Sequence, residues 1–279
     1  MSGVFRSHES SGVGYLTIPS FEEAGPVRAW FSTRLGGVSR PPYATLNLGF
    51  HVGDDPAAVA ENRARLCLAL GVDQRTLVAA RQVHGDRVQV VGAEDAGRGA
   101  VDGGLALPDA DALVTRDSGV VLTAYYADCV PVCLYDPRAG AVGLAHAGWK
   151  GTVGETAAKA VRKMVEAFGS DPGDCLAAIG PSIGPCCYEV DEKVVGPLAQ
   201  AFEDWPDLVR PSGRQAADRP GKWKLDLWEA NRRSLLRAGL RSENILVGGL
   251  CTACRRDIFF SHRAEGGRTG RLMALVSKI

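Results

Sequence analysis

The sequence predicts an α/β fold of the α+β kind, with hairpins and helices interleaved rather than wound as repeated βαβ units. Three observations predict it. Val130 to Tyr135 and Ala141 to His146 are apolar, strand-like runs joined by Asp136-Pro137-Arg138-Ala139-Gly140, a turn in which Pro and Gly set special backbone angles. Strands joined that closely run antiparallel, which a simple βαβ winding excludes. Val153, Ala157, Ala160, Val161, Met164, Val165 and Phe168 recur at helical spacing, and Gly169 follows as a stop. Strand-like and helix-like runs then alternate along all 279 residues, with neither an internal repeat nor a clean linker. The chain is therefore read as one domain, 1–279.

Taken in order, Tyr15 to Ile18 and Val27 to Ser32 read as strands. Asp54-Asp55-Pro56 opens a helix with acidic caps and an early Pro; Val59, Leu66 and Leu70 form its apolar side, with Cys67 among them, and Gly71 ends it. Leu77 to Gln82 and Arg87 to Val91 are strands on either side of a bend at Val83-His84-Gly85-Asp86. Residues 92–108 have the Gly, Ala and Asp content of a surface loop, the composition of a mobile flap. Ala112 to Thr115 and Val120 to Tyr126 are strands, the second interrupted by Ala127-Asp128-Cys129. Thr152-x-x-Glu155 reads as a capping box for the helix through Phe168. Leu176 to Ile179 is a strand, 180–187 a stiff Pro/Gly loop, and Asp191 to Phe202 a helix kinked at Pro197. Trp205 to Lys222 reads as irregular. Asp226-x-x-Glu229 opens a last helix that stops at Gly239, and strands follow at Ile245 to Gly248 and Met273 to Val276.

Composition narrows the function. Hydrophobic residues make up 46% and charged residues 23%, as in an ordinary soluble globular protein. The formal net charge is zero, so nothing argues for nucleic acid or an anionic membrane as partner. No apolar run approaches the roughly 20 residues that span a bilayer. The first residues, MSGVFRSHESSG, lack an apolar signal core, so a cytoplasmic location is expected. The eight Cys then read as reduced thiols or metal ligands rather than as a disulfide framework. With five His and no paired H-x-H segments, the chain has too few imidazoles for a four-copper oxidase. Dinucleotide, P-loop, H-E-x-x-H and G-x-S-x-G motifs do not occur.

The chemistry concentrates on His84, Cys129 and His146, each at a strand end beside small residues. Two imidazoles and a thiolate suit Zn²⁺ and leave a fourth position open. The residues alone leave two other readings: a Cys129 nucleophile with His146 as base, or a buried thiol beside ordinary histidines. Lys150-Gly151-Thr152, at a helix start, either attracts an anion or is a plain cap. Arg34, beside Gly36 and Gly37, sits either in a solvated turn or in a loop that presents it to an anion. Asn47 and His51 fall in the irregular stretch LNLGFHVGDD. Cys251-x-x-Cys254 has no second C-x-x-C at ribbon spacing; Cys186-Cys187 completes a set of four only on paper, and all four read as reduced core or loop cysteines without catalytic work. Arg255, Arg256, Arg263, Arg268 and Arg271 crowd the C-terminal stretch, either as surface charges or as an anion-binding wall.

The segments STRLGGVS, LNLGFHVGDD, RQVHGDRV, DALVT, ADCVPVCLYDP, VGLAHAGWKGT, IGPSIGPCCYEVD, CTAC, FFSHR and TGR, in that order, resemble the YfiH-type family. That family was once named for a multicopper polyphenol oxidase or laccase domain and is now described as purine nucleoside phosphorylase. The resemblance covers nearly the whole chain. It implies mixed β-sheets packed as a sandwich with helices outside, similar in shape to the deamidase domain of cytotoxic necrotising factors. It implies zinc, with copper as the alternative ion, on His84, Cys129 and His146. It also implies phosphorolysis of adenosine, inosine and S-methyl-5′-thioadenosine, together with adenosine deamination. Cys129, His146 and Asp128 are then the catalytic candidates; Arg34, Asn47 and Lys150 are the candidates for nucleoside and phosphate, in a monomer or small homo-oligomer. His262 departs from the family, where an aromatic such as Tyr is usual. The alternatives are a Cys129/His146 amidohydrolase editing peptidoglycan precursors, a copper-dependent polyphenol oxidase, and a zinc-stabilised binding protein without turnover.

Overall fold

The computed structural model describes residues 3–213 and 220–279; residues 214–219, part of the segment expected to be irregular, lie outside them. The chain opens with a hairpin, β1 (Arg6–Ser10) and β2 (Val13–Thr17), closed by Ser11 and Gly12, both at positive φ. A two-residue turn of that kind matches the twist of its strands. The sequence reading finds only β2, because β1 is polar and mostly exposed and shows no apolar alternation. A short helix α1 (Pro19–Ala24), β3 (Val27–Ser32), α2 (Pro56–Leu70), β4 (Leu77–Ala79), β5 (Val88–Val90) and β6 (Ala112–Thr115) follow. Next come β7 (Val121–Tyr126), β8 (Val130–Asp136), β9 (Ala141–Ala147), α3 (Trp149–Val153), α4 (Thr156–Phe168) and β10 (Leu176–Ile179). The rest is β11 (Glu189–Val190), α5 (Glu192–Ala201), β12 (Val209–Pro211), β13 (Trp223–Leu225), α6 (Leu227–Arg237), β14 (Ile245–Val247) and β15 (Leu272–Lys278).

Two six-stranded mixed sheets form the body. One runs β1-β2-β3-β15-β7-β4 and the other β14-β10-β8-β9-β6-β5; β11, β13 and β12 make a small third sheet. Side-chain alternation sends each central strand to two different cores. In β7, Leu122, Ala124 and Tyr126 enter the core between the sheets, while Val121 and Tyr125 face the α2 side. In β8, Cys133 and Tyr135 enter that same middle core, while Val130, Val132 and Leu134 pack under α4, α5 and α6. Burial on both faces explains why these strands read as continuous apolar runs. The result is the expected sandwich, with helices on its outer faces.

Several helix ends form as their sequences dictate. Asp55 caps α2 by accepting from the Ala57 N–H at 3.0 Å, and Gly71 closes it in the left-handed region. Asp226 caps α6 through the Glu229 N–H at 3.0 Å. Pro197 lies inside α5, as expected. The capping box expected at Thr152 and Glu155 does not form. Thr152 belongs to the preceding short helix α3, and α4 starts only at Thr156, after Glu155 turns the chain at φ 57°. Thr152 instead accepts from Asn231 Nδ2 on α6, and Glu155 pairs with Arg162 and Arg237.

Residues 92–108 form the surface loop their composition suggests, tied down at Gly99 and Ala100. Arg63, buried on α2, donates to the carbonyls of Leu48, Gly99 and Ala100 and lies between the rings of Phe50 and Tyr125. Ala100 and Leu107 are buried beneath that clamp. A charge on the inner side of a helix is invisible to an apolar-periodicity reading, which is why the loop looked free. Among the described residues, no helix is long and apolar enough to cross a membrane.

Candidate metal centre

Four strand ends of the second sheet meet at one place. The β8–β9 pairing sets Pro131 opposite His146, which leaves Cys129 just outside β8 on the same end. The β6–β9 pairing sets Ala112 opposite Ala145 and brings Asp111, just before β6, against His146. Residue 84 lies in the bend leading to β5, which pairs parallel with β6. Ligand atoms of His84, Cys129 and His146 all lie within 4.8 Å of one another. The three residues singled out in the sequence therefore converge, and the His84 and His146 rings meet edge to face at 5.0 Å.

Asp111, not among the sequence candidates, organises the group. Its carboxylate sits 2.9 Å from His146 Nδ1 and accepts the backbone N–H groups of Val83, His84 and Gly85 at 3.2, 3.0 and 2.7 Å. One buried carboxylate thus orients one candidate ligand and fixes the bend that carries another. Burial works against its charge, but the His146 and Gly85 hydrogen bonds hold its pKa below the ordinary carboxylate value. Gly148 closes the other side: a Cβ there would lie 2.9 Å from Cys129 Sγ and 3.4 Å from His84 Cδ2.

The electrostatics favour a deprotonated sulfur. Burial alone would raise the Cys129 thiol, but the His146 charge and hydrogen bonds from both histidines outweigh it and bring the pKa down to about 6. Burial alone would lower His146; the Cys129 charge and the Asp111 hydrogen bond raise it to about 9. Both shifts run in the direction that favours a thiolate beside an imidazolium in the metal-free pair. Thiolate and imidazole are the donors that zinc takes, and a carboxylate behind one imidazole is the usual support of a metal-binding His. The donor set fits the ion.

The other sequence candidates have different employment. Asn47 is fully buried, and its side chain already makes four hydrogen bonds: to Asp54 and the Gly49 carbonyl, and from the Gly49 and Arg271 N–H groups. That fills an amide's ordinary capacity, and it braces the backbone of Arg271. Arg34 lies over Phe260 at 4.5 Å; its guanidinium donates to the Ala44, Arg256 and Phe259 carbonyls and pairs with Glu265 at 2.9 Å. It ties two loops together. Lys150 is exposed on α3, its Nζ 5.7 Å from the Trp149 ring centroid. Asp128 adopts φ 84°, and its carboxylate accepts from Thr252 Oγ1 and the Arg263 N–H, both at 2.6 Å. The C-terminal loop is thereby pinned beside Cys129.

Two further residues surround the centre. Arg271 is part-buried, its Nη1 donating to the Thr269 and Gly270 carbonyls; desolvation lowers its pKa, against the charges of Cys129 and Asp128. His51 is brought down to about 4, first by burial and then by Arg271 and Arg63. Both lie in segments named from the sequence, LNLGFHVGDD and TGR, but nothing local placed either beside the trio.

The model of the family described as multi-copper polyphenol oxidoreductase laccase matches residues 28–278. Purine nucleoside phosphorylase YlmD of Geobacillus stearothermophilus is 43% identical over 95% of this chain and 94% of its own. Adenosine deaminase RL5, from an unknown prokaryotic organism, is 40% identical over 86% of this chain and 90% of its own. The crystal structure of the Bacillus licheniformis hypothetical protein YfiH superposes with a TM-score of 0.91 at 37% identity, covering 99% of this chain and all of the other. With its sandwich and its convergent His84, Cys129 and His146, the chain belongs to this YfiH-type, laccase-domain family.

Proposed function

We propose that this protein is a zinc-dependent purine nucleoside phosphorylase that also deaminates adenosine. Its substrates are adenosine, inosine and S-methyl-5′-thioadenosine, and phosphate is the co-substrate. The convergence of His84, Cys129 and His146 on one point carries this reading. Those residues would hold the ion, leaving one position for substrate or water. When bound, the ion supplies a Lewis acid and a way to make water nucleophilic near neutral pH.

The chain's own groups do the rest. Asp111 keeps His146 in one tautomer and orientation. Asp128 acts as a positioning residue, because both its carboxylate oxygens are engaged in holding the C-terminal loop. For phosphate, Arg271 and the exposed Lys150 replace Arg34 and Asn47, whose polar groups are taken by the protein. In phosphorolysis the C1′–N9 bond breaks, a phosphate oxygen bonds C1′, and the purine leaves with a proton. In deamination water adds at C6 and ammonia leaves.

A second reading has its own observation. Cys129, His146 and Asp111 stand in line, with pKa shifts that favour a thiolate beside a protonated His146, the arrangement of a Cys-His-Asp nucleophile. That is the amidohydrolase alternative. The test is purified protein with adenosine, with and without phosphate, before and after chelation. Adenine and ribose 1-phosphate appearing only with phosphate, lost on chelation and restored by zinc, is the expected result. Inosine without phosphate reports the deaminase. Neither product from zinc-loaded protein would overturn the reading.

A further inference from the structure

We propose that Cys186, Cys187, Cys251 and Cys254 form a second, structural zinc site, independent of the reaction at the first. The four come from two segments: the Pro/Gly loop after β10 and the loop after β14. Their sulfurs all lie within 4.8 Å of one another. Cys254 Sγ is 3.5 Å from Cys186 Sγ and 3.4 Å from Cys187 Sγ. A zinc–sulfur bond of ~2.3 Å in tetrahedral geometry sets sulfurs about 3.8 Å apart. The cluster is therefore close to the size of a filled site.

Its surroundings differ from those of singly packed thiols. The other buried cysteines, Cys67, Cys133 and Cys175, stand singly among apolar side chains. Here Cys186 and Cys254 are exposed, yet their sulfurs point at one another instead of into solvent. The Gly184 N–H donates to Cys251 Sγ at 3.3 Å, a backbone contact that supports negative sulfur. Four thiolates on a divalent cation leave two negative charges. Two cationic side chains sit at the cluster's own backbone: Arg210 on the Pro185 carbonyl at 3.2 Å and Lys224 on the Cys187 carbonyl at 3.4 Å.

The placement gives the site a purpose. Ser182 and Cys251 form a β-bridge, with the Ser182 N–H on the Leu250 carbonyl and the Thr252 N–H on the Ser182 carbonyl, both 3.1 Å. Thr252, next to Cys251, donates to Asp128, which adjoins Cys129. A zinc ion on the four cysteines would staple two long loops otherwise joined by hydrogen bonds and the packing of Ile183 and Cys251, and so hold that wall of the first centre. Closed, four-cysteine zinc sites characteristically act this way, adding folding stability without an open coordination position.

The test counts metal in the full-length protein. Zinc-replete wild type, desalted into metal-free buffer, is expected to carry two zinc ions per chain. Cys129→Ser removes a donor of the first centre and leaves the four cysteines intact, so it is expected to keep one. A Cys251→Ser, Cys254→Ser variant should also keep one, with a lower thermal midpoint and faster amide exchange in 182–188 and 250–263. Cobalt loaded into Cys129→Ser should give the intense thiolate-to-metal absorption and strong visible bands of a tetrahedral four-sulfur site. Because Cys129→Ser keeps the whole cluster, the result does not depend on the double variant folding. Zinc-free Cys129→Ser protein, or a disulfide among the four cysteines in the isolated protein, would overturn the proposal. Neither result bears on whether adenosine is the substrate.

Discussion

Asp111 grips His146 twice, accepting its backbone N–H on the carbonyl at 2.7 Å and standing 2.9 Å from its Nδ1 with the carboxylate. An ionised carboxylate only accepts, so Nδ1 carries the proton and Nε2 is the atom free to meet a metal or Cys129. Asp111→Asn keeps the shape and removes the charge. It should weaken zinc binding ~10–100-fold, the usual cost of losing such a support. It should also lower stability by ~1–3 kcal/mol, because three backbone N–H groups lose part of their acceptor. Competition with a chelating dye measures the first effect and urea unfolding of metal-free protein the second. Unchanged zinc affinity would mean that His146 is oriented by something else.

Gly148 separates the metal from the fold. Its backbone, at φ −67°, suits any residue, so Gly148→Ala adds no conformational strain. The new methyl instead meets Cys129 Sγ at 2.9 Å and His84 Cδ2 at 3.4 Å. The metal-free variant should unfold within ~1 kcal/mol of wild type, while zinc affinity falls at least ~10-fold. A variant that binds zinc normally would place the open volume on another side of the trio.

Zinc loading should release protons in a pattern set by the pair. With Cys129 near 6 and His146 near 9, the metal-free pair holds one proton between those values, two below about 6 and none above about 9. Metal displaces what is there. Apparent affinity should therefore climb about tenfold per pH unit from 6 to 9 and flatten beyond. Calorimetry in buffers of different ionisation heat counts the protons directly. A count near zero at pH 7.5 would show that the thiolate–imidazolium pair does not exist in the metal-free protein.

The trio was legible because each member combines a metal-ligating residue type with a strand end, and strand ends can be read from apolar runs. The central strands were legible because burial on both faces leaves them continuously apolar. Asp111 was not: its role rests on register, β6 against β9, which the sequence of one strand does not encode. The protein contacts of Asn47 and Arg34 were not legible either. Polar residues beside glycines look solvent-facing in a sequence, whereas here they satisfy buried loop backbone. The three-residue offset of α4 has a local cause, since Glu155 takes a left-handed turn that its residue type does not announce. The four-cysteine set could be named from the sequence but its convergence could not be read there, because its two halves are brought together by the Ser182–Cys251 bridge, 69 positions apart.

The choice between a metal ligand and a covalent nucleophile turns on His84. A Cys129 nucleophile needs His146 as its partner and Asp111 behind it; His84 is exposed and adds only a secondary hydrogen bond to the sulfur. A metal needs His84 as its third donor, because two ligands hold zinc weakly. His84 adopts φ 57°, so alanine there would add backbone strain of its own, whereas asparagine tolerates that region. His84→Asn is therefore the cleaner substitution. On the zinc reading it should lose metal and nucleoside turnover together, with turnover falling at least ~100-fold, while thermal unfolding of the metal-free protein stays within about 1 kcal/mol of wild type. On the nucleophile reading it should stay active without metal, and substrate should leave a mass adduct on the peptide carrying Cys129. A metal-free His84→Asn enzyme with near-normal rates would transfer the chemistry from the ion to the sulfur, since no other change in the trio leaves the Cys129–His146 pair whole.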